Sequence, residues 1–257
     1  IERVVLIGAE GPDDTLKLPS SADALLARLA PLAARDGFDD LVGSAGRVIA
    51  ALEQQPATGR SIIHQGRQVT LGAFDAQLAI AAALGRRSTQ QMLPLALRDA
   101  EQGNHDLLAA LVLSVREELQ AIGAMPLAMD VASGASPQRR ALVAQQAQGS
   151  LLGEGLNFPL PTLADGLGLV DLGDDYRAPL HSALPVLMIS GTLDGRTPAA
   201  NAQALLPGLP GAVHLQVTHA SHDDELWLGH PAIGQAMADF LAGRSVAASD
   251  IAVPAPV

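Results

Sequence analysis

The feature that most limits the fold is a strand–helix–strand–helix order over residues 185–242. Pro185–Gly191 is a continuous apolar run closed by Ser-Gly, which predicts a strand buried on both faces. Pro198–Leu206 predicts a helix, Val213–Val217 a further strand and Pro231–Ala242 a final helix. Strands that alternate with helices form parallel sheets covered by helices, so this part predicts an α/β fold.

The N-terminal residues add one more strand of the same kind. Val4–Ile7 is apolar, mostly β-branched and closed by Gly8, and the irregular loop from Ala9 to Asp14 follows it. The chain enters this strand at once and has no initiator Met. We interpret residue 1 as a truncation point, because a fold that opens on an interior strand is expected to begin further upstream.

The long span between these strands is helical in pattern, from about Ser20 to about Leu156. Ala and Leu supply most of its apolar side chains, and only 2% of the whole chain is aromatic, which favours helices. Ser61–His64 and Gln68–Leu71 predict a short hairpin within it. A Pro- and Gly-rich stretch that starts at residue 157 predicts an irregular return path. We divide the chain into core (1–19), helical cap or lid (20–176), core (177–244) and a tail without predicted structure (245–257).

Composition excludes several classes of function. The formal net charge of −11 disfavours binding to a phosphate backbone, so we expect no nucleic-acid partner. The longest apolar stretches, such as Leu107–Leu113, are too short to span a bilayer. The absence of cysteine excludes disulfides, thiolate metal sites and a Cys nucleophile, but it leaves the compartment unknown.

Two polar residues follow the last two predicted core strands. Asp194 comes three residues after Gly191, and His222 follows the strand that ends at Val217. Sites in open α/β sheets lie at the carboxyl ends of strands, and this order matches the end of a Ser…Asp…His triad. One imidazole nitrogen takes the proton of the serine, while the other donates to a carboxylate. We therefore predict Asp194 as the catalytic acid and His222 as the catalytic base.

The same segments resemble the α/β-hydrolase family that includes proline iminopeptidase and tripeptidyl aminopeptidase-like enzymes. Pro185–Pro198 is similar to that family's pattern around the acid, and Val217–Asp223 to its pattern around the base, with Ser221 where Gly is more usual. Val4–Pro12 resembles the strand that follows the nucleophile's helix and leads into a helical cap. The resemblance implies a partial α/β-hydrolase fold, with the last three strands of a mostly parallel sheet and a large helical cap insertion.

The resemblance also implies an activity. We expect hydrolysis of an amide or ester through an acyl-serine intermediate, with a small molecule or peptide as aminopeptidase-like substrate and with no cofactor. The Gly-x-Ser-x-Gly elbow that would carry the serine is missing, since Gly43–Gly46 and Ser133–Ser136 have the wrong spacing. We therefore expect the nucleophile in a missing N-terminal half and no turnover by this chain alone. Exposed strand edges predict that the chain alone aggregates.

Other residues give further hypotheses. Glu10 and Asp13 lie where the cap meets the sheet, and by resemblance to aminopeptidases a carboxylate here or in the cap receives the α-ammonium group of the substrate; the alternative is a solvated loop. His219 is a rival base. Its neighbours His214, His222, Asp223 and Asp224 suggest a metal cluster, but no helical His-x-x-x-His pair is present, so we predict no metal. A non-catalytic binding module that lost its serine is the alternative function, distinguished by the sequence upstream of residue 1.

Overall fold

The computed structural model describes residues 1–246 and 251–256, and for residues 161, 162, 164 and 165 the backbone only. Its strands and helices follow in chain order: β1 (Val4–Ile7), α1 (Pro19–Arg35), α2 (Leu41–Gln54), β2 (Ala57–Ser61), β3 (Arg67–Leu71), α3 (Ala73–Ala83), α4 (Arg87–Glu101), α5 (Asp106–Gln120), α6 (Ala124–Ser133), α7 (Pro137–Ala147), α8 (Leu160–Leu167), β4 (Val186–Gly191), α9 (Ala199–Leu205), β5 (Ala212–Thr218), α10 (Glu225–Leu228), α11 (Pro231–Leu241) and β6 (Ile251–Ala252).

The main sheet of the described residues has four parallel strands in the order β1-β4-β5-β6. Val4 pairs with Val186, and Val186 in turn pairs with Ala212, so three strands run in register. This sheet and its helices confirm the predicted α/β class. The sequence predicted only three strands. The fourth, β6, is two residues long, which is too short to show any hydrophobic periodicity.

Strand β4 is buried along its whole length because apolar side chains cover both of its faces. Leu187 and Ile189 pack on one side in a cluster that includes Phe240 of α11. Val186 and Met188 pack on the other side, in a cluster that includes Ala202 of α9. This two-sided burial explains the continuous apolar run that identified the strand.

The helical region between β1 and β4 has its own hydrophobic core. Buried side chains of α1 to α5 form most of one cluster, and that cluster also contains Leu193 from the loop after β4. The helical region therefore packs directly against the loop that carries the predicted acid. None of the described helices is both long and apolar enough to cross a bilayer.

Some boundaries differ from the sequence predictions. Helix α1 continues through Pro31, which is exposed, although an internal proline removes one backbone hydrogen bond. The hairpin strands are Ala57–Ser61 and Arg67–Leu71, and the turn between them uses positive φ angles at Gln65 and Gly66. Helix α8 lies in the stretch that we predicted to be irregular, since its first turn accommodates a proline.

The tail was predicted without structure from residue 245 onwards. Of that segment, residues 247–250 and 257 lie outside the described residues. Ile251 and Ala252 pair with Val217 and Thr218 of β5. The backbone N–H of Val253 donates to Thr218 O at 3.0 Å, which extends the contact with the sheet.

Candidate active site

The predicted acid lies in a tight turn directly after β4. Asp194 is 1% exposed, and four donors converge on its carboxylate. The backbone N–H groups of Arg196 and Thr197 donate to Oδ1, both at 2.8 Å. The Thr197 hydroxyl donates to Oδ2 at 2.8 Å. A buried carboxylate needs such partners, and here they fix its second oxygen towards one imidazole, that of His222.

The predicted base completes the pair. Nδ1 of His222 lies 2.9 Å from Oδ2 of Asp194 and 3.0 Å from the Thr197 hydroxyl oxygen. The Nδ1 proton goes to the carboxylate, since an ionised acceptor forms the stronger hydrogen bond and the hydroxyl already donates to the same oxygen. No hydrogen bond from any described residue reaches Nε2, and the side chain is 33% exposed. Nε2 is thus the nitrogen that can accept a proton from outside the pair.

Strand β1 contributes a close approach to the imidazole. Gly8, directly after β1, has a φ of +59°, and a Cβ placed there would lie 2.9 Å from Cε1 of His222. It would also lie 3.2 Å from the hydroxyl oxygen of Thr197. Only a residue without a side chain fits both the backbone conformation and this space. The ends of β1, β4 and β5 thus meet at the pair.

The other histidines of the hypothetical metal cluster have different partners. Nδ1 of His219 lies 3.3 Å from Val253 O, and the residue has a φ of +66°, which turns its side chain towards the C-terminal segment. Nε2 of His214 lies 3.0 Å from the Ser190 hydroxyl, and burial lowers the pKa of His214. Within residues 1–246 and 251–256, no three His, Asp or Glu side chains are placed to hold a metal ion. His222, rather than the rival His219, pairs with the acid.

The two carboxylates predicted to bind substrate lie in the loop after β1. Glu10 forms an ion pair with Lys17. Asp13 accepts hydrogen bonds from the backbone N–H and the hydroxyl of Ser136, both at 2.6 Å. Ser136 is the N-cap of α7, so Asp13 connects this loop to the helical region. Their role towards a substrate stays a prediction.

Two neighbouring cavities lie mainly in the helical region, and the first of them adjoins the site. The first, of about 470 Å³, has a mostly apolar lining and reaches Gly195 and Arg196 in the turn that carries the acid. The second, of about 760 Å³, extends towards α7. Asp130 and residues 158–160 line both. Burial raises the pKa of Asp130, while the positive charges of Lys17 and Arg196 oppose the shift.

Three residues at or near the site were not singled out from the sequence. An Asp that follows a strand signals an Asx turn, in which its side chain accepts the backbone N–H two residues on, but this pattern does not reveal the hydroxyl contact of Thr197. Gly8 was noted only as the end of a strand. Asp130 lies within α6. Its position between the two cavities depends on tertiary packing that the sequence does not display.

Comparison with known proteins agrees with the geometry in the C-terminal part. Residues 174–252 match the model of the α/β-hydrolase family described as TAP-like protein. The matched segment contains β4, β5 and both residues of the acid–base pair. A search of curated proteins found no match. Over these residues the chain is similar to TAP-like α/β hydrolases, which supports membership of the α/β-hydrolase superfamily and a hydrolase-type function.

Proposed function

We propose that this chain provides the acid and the base of a serine hydrolase that cleaves amides or esters, with aminopeptidase-like substrates. The observation that carries the proposal is the 2.9 Å contact between His222 Nδ1 and Asp194 Oδ2, with no hydrogen bond to Nε2 from the described residues. A carboxylate bound to Nδ1 holds the imidazole in the tautomer whose Nε2 accepts a proton, and it stabilises the imidazolium that forms.

The proposed reaction has two halves. The serine oxygen adds to the substrate carbonyl carbon, and its proton passes to Nε2 of His222. Nε2 returns this proton to the leaving nitrogen or oxygen as that bond breaks, which leaves an acyl ester on the serine. Water then adds to the ester carbonyl and gives a proton to Nε2, which passes it to the serine oxygen as the acid product leaves.

The nucleophile is proposed to come from a segment that precedes residue 1 in the same gene product or from a separate chain. Two observations support this. No Gly-x-Ser-x-Gly elbow occurs in residues 1–257. The nearby hydroxyl of Ser221 is buried and donates to Glu225 Oε2 at 3.2 Å, so it is directed to another partner.

The helical region is proposed to act as the cap that holds the substrate. Its first cavity is large enough for a small peptide or amide, and it extends to the turn that carries Asp194. Asp130 is the carboxylate best placed to receive a substrate's α-ammonium group, because it lines both cavities and no side chain among the described residues forms a hydrogen bond or ion pair with its carboxylate. Glu10 and Asp13 remain candidates, but each already has a protein partner.

The test uses the full-length protein that includes the nucleophile. Two amides are compared that differ only in a free or an acetylated α-amine. We expect kcat/KM to favour the free amine by about tenfold or more, because a charge-assisted hydrogen bond contributes about 1.5–3 kcal/mol. Asp130→Asn should remove most of this preference, and Glu10→Gln and Asp13→Asn serve as matched comparisons.

The possible results separate the hypotheses. Equal kcat/KM for both amides excludes an amine site, and loss of the preference in Glu10→Gln or Asp13→Asn instead assigns the site to that carboxylate. A fluorophosphonate that labels serine nucleophiles tests the reaction class directly. Absence of both turnover and labelling contradicts the hydrolase and favours the non-catalytic binding module.

A further inference from the structure

The turn between α3 and α4 contacts both loops that carry the acid–base pair. We propose that Gln90, in the first turns of α4, is a positioning residue that fixes the acid loop (residues 192–197) against this turn and thereby holds Asp194 on His222. The inference rests on the proposed function for its effect on catalysis, but its structural part can be tested without turnover.

The amide of Gln90 bridges two backbone carbonyls. Its Nε2 donates to Leu84 O and to Leu193 O, both at 2.8 Å. Leu84 is the C-cap of α3, and Leu193 directly precedes Asp194. Both partners are acceptors, so the NH₂ end must face them and the orientation of the amide is determined by its surroundings.

Burial makes this bridge more than a packing contact. Gln90 is 4% exposed, and its Oε1 is buried without a hydrogen-bond partner in the described structure. A buried acceptor without a partner costs free energy that an apolar side chain of similar size avoids. The two donated bonds offset that cost, and one of them restrains the backbone next to the acid.

The same turn contacts the base loop (residues 219–222). The backbone N–H of His222 donates to Gly85 O at 3.2 Å, only one residue after the carbonyl that Gln90 binds. Gly195 packs so closely on the turn that a Cβ there would lie 2.8 Å from Cβ of Leu84. The turn therefore contacts the acid loop through Gln90 and Gly195 and the base loop through Gly85. Its position sets the separation of the two catalytic side chains.

The experiment compares Gln90→Met, which keeps the volume and removes both donors, with Gln90→Asn, which keeps the amide but is one methylene shorter. Leu97→Ala is the control: Leu97 is 0% exposed, lies about two turns further along the same helix and donates no side-chain hydrogen bond to either loop. The readout in the full-length protein is the downfield NMR resonance of the His222 Nδ1–H, assigned by its loss in Asp194→Asn. All spectra are recorded below the melting temperature of each variant.

We expect the resonance to persist in Leu97→Ala, to weaken in Gln90→Asn and to be lost in Gln90→Met. In the same series kcat should fall about tenfold or more in Gln90→Met with KM changed less than about twofold, while Leu97→Ala lowers the melting temperature without this split. An unchanged resonance in Gln90→Met overturns the inference. If Gln90→Met does not fold, an Asn variant identical to the wild type overturns it.

The two proposals fail in different ways. If the resonance responds as expected but Asp194→Asn leaves turnover unchanged, Gln90 positions the pair and the serine-hydrolase proposal is wrong. If Asp194→Asn abolishes turnover but the His222 Nδ1–H resonance is unchanged in the Gln90 variants, the hydrolase proposal stands and the positioning role is wrong.

Discussion

Replacing Asp194 by Asn exchanges one carboxylate oxygen for an NH₂ group with almost no change in volume. Oδ1 accepts two backbone N–H bonds at 2.8 Å, so the amide oxygen of the Asn must occupy that position. The NH₂ group is then directed at His222 Nδ1, where Oδ2 lies at 2.9 Å in the wild type. Since NH₂ only donates, Nδ1 has to accept and the imidazole proton moves to Nε2. The base can then no longer take a proton from the serine.

The expected loss in kcat is about four orders of magnitude, the cost of holding a catalytic imidazole in the wrong tautomer. This corresponds to about 5 kcal/mol of transition-state stabilisation at roughly 1.36 kcal/mol per tenfold. The assay is steady-state hydrolysis of an amide and an ester by the full-length protein, with near-UV circular dichroism to show that the variant folds. KM should change little, because the substitution does not alter the first cavity.

Asp224→Asn is the matched control, since Asp224 is an exposed carboxylate two residues after the base. It should retain kcat within about twofold. A loss of less than tenfold in Asp194→Asn would refute the assignment of the acid. An equal loss in both variants would show that general electrostatics, rather than tautomer control, dominates.

Three further predictions concern the surroundings of the pair. Gly8→Ala and Gly37→Ala both place a side chain at positive φ and should each cost about 1–2 kcal/mol in urea unfolding. Only Gly8→Ala should also abolish turnover, because a Cβ at position 8 would lie against the His222 ring, whereas a Cβ at position 37 would have no atom within 4 Å. Equal activity in the two variants would contradict the close approach of Gly8 to His222. Thr197→Val removes a donor to a buried carboxylate and should lower the free energy of unfolding by about 1.5–3 kcal/mol, and an unchanged urea midpoint argues against this bond. Because burial raises the pKa of Asp130, the native state binds its proton more tightly than the unfolded state. Stability from this group therefore falls as pH rises, and Asp130→Asn should stabilise the protein at neutral pH but not below about pH 3.9, as measured by melting temperature against pH.

The contact between Asp194 and His222 could be predicted from sequence because its signals are local. A buried parallel strand needs a continuous apolar run, and the polar residues that follow it lie at the carboxyl edge of the sheet. Two such strands in succession therefore predicted that Asp194 and His222 come together. The 2.9 Å contact between them confirms that expectation.

The residues that complete the site depend on contacts that sequence does not display. Gln90 reaches Leu193 across 103 positions, and Gly8 meets a histidine on another strand. Neither contact produces a periodic pattern in the sequence, because a single Gln in a helix or a single Gly in a turn looks the same whether or not it makes a long-range contact. Strand β6 was missed for a related reason, because two paired residues give too little signal to distinguish from a loop.

The arrangement explains why the second histidine of the His219-Ala-Ser-His222 segment, and not the first, meets the acid. His219 immediately follows β5 and has a φ of +66°, so its ring is directed to Val253 O instead of the turn after β4. Ala220 O then accepts a hydrogen bond from the N–H of Leu193 at 2.9 Å, which ties the base loop to the acid loop. Two residues further on, the backbone N–H of His222 reaches Gly85 O and its ring faces the carboxylate. The way the backbone leaves the strand therefore decides that His222, and not His219, contacts Asp194. A substitution that relaxes the positive φ of His219 should weaken this contact although neither His222 nor Asp194 is changed.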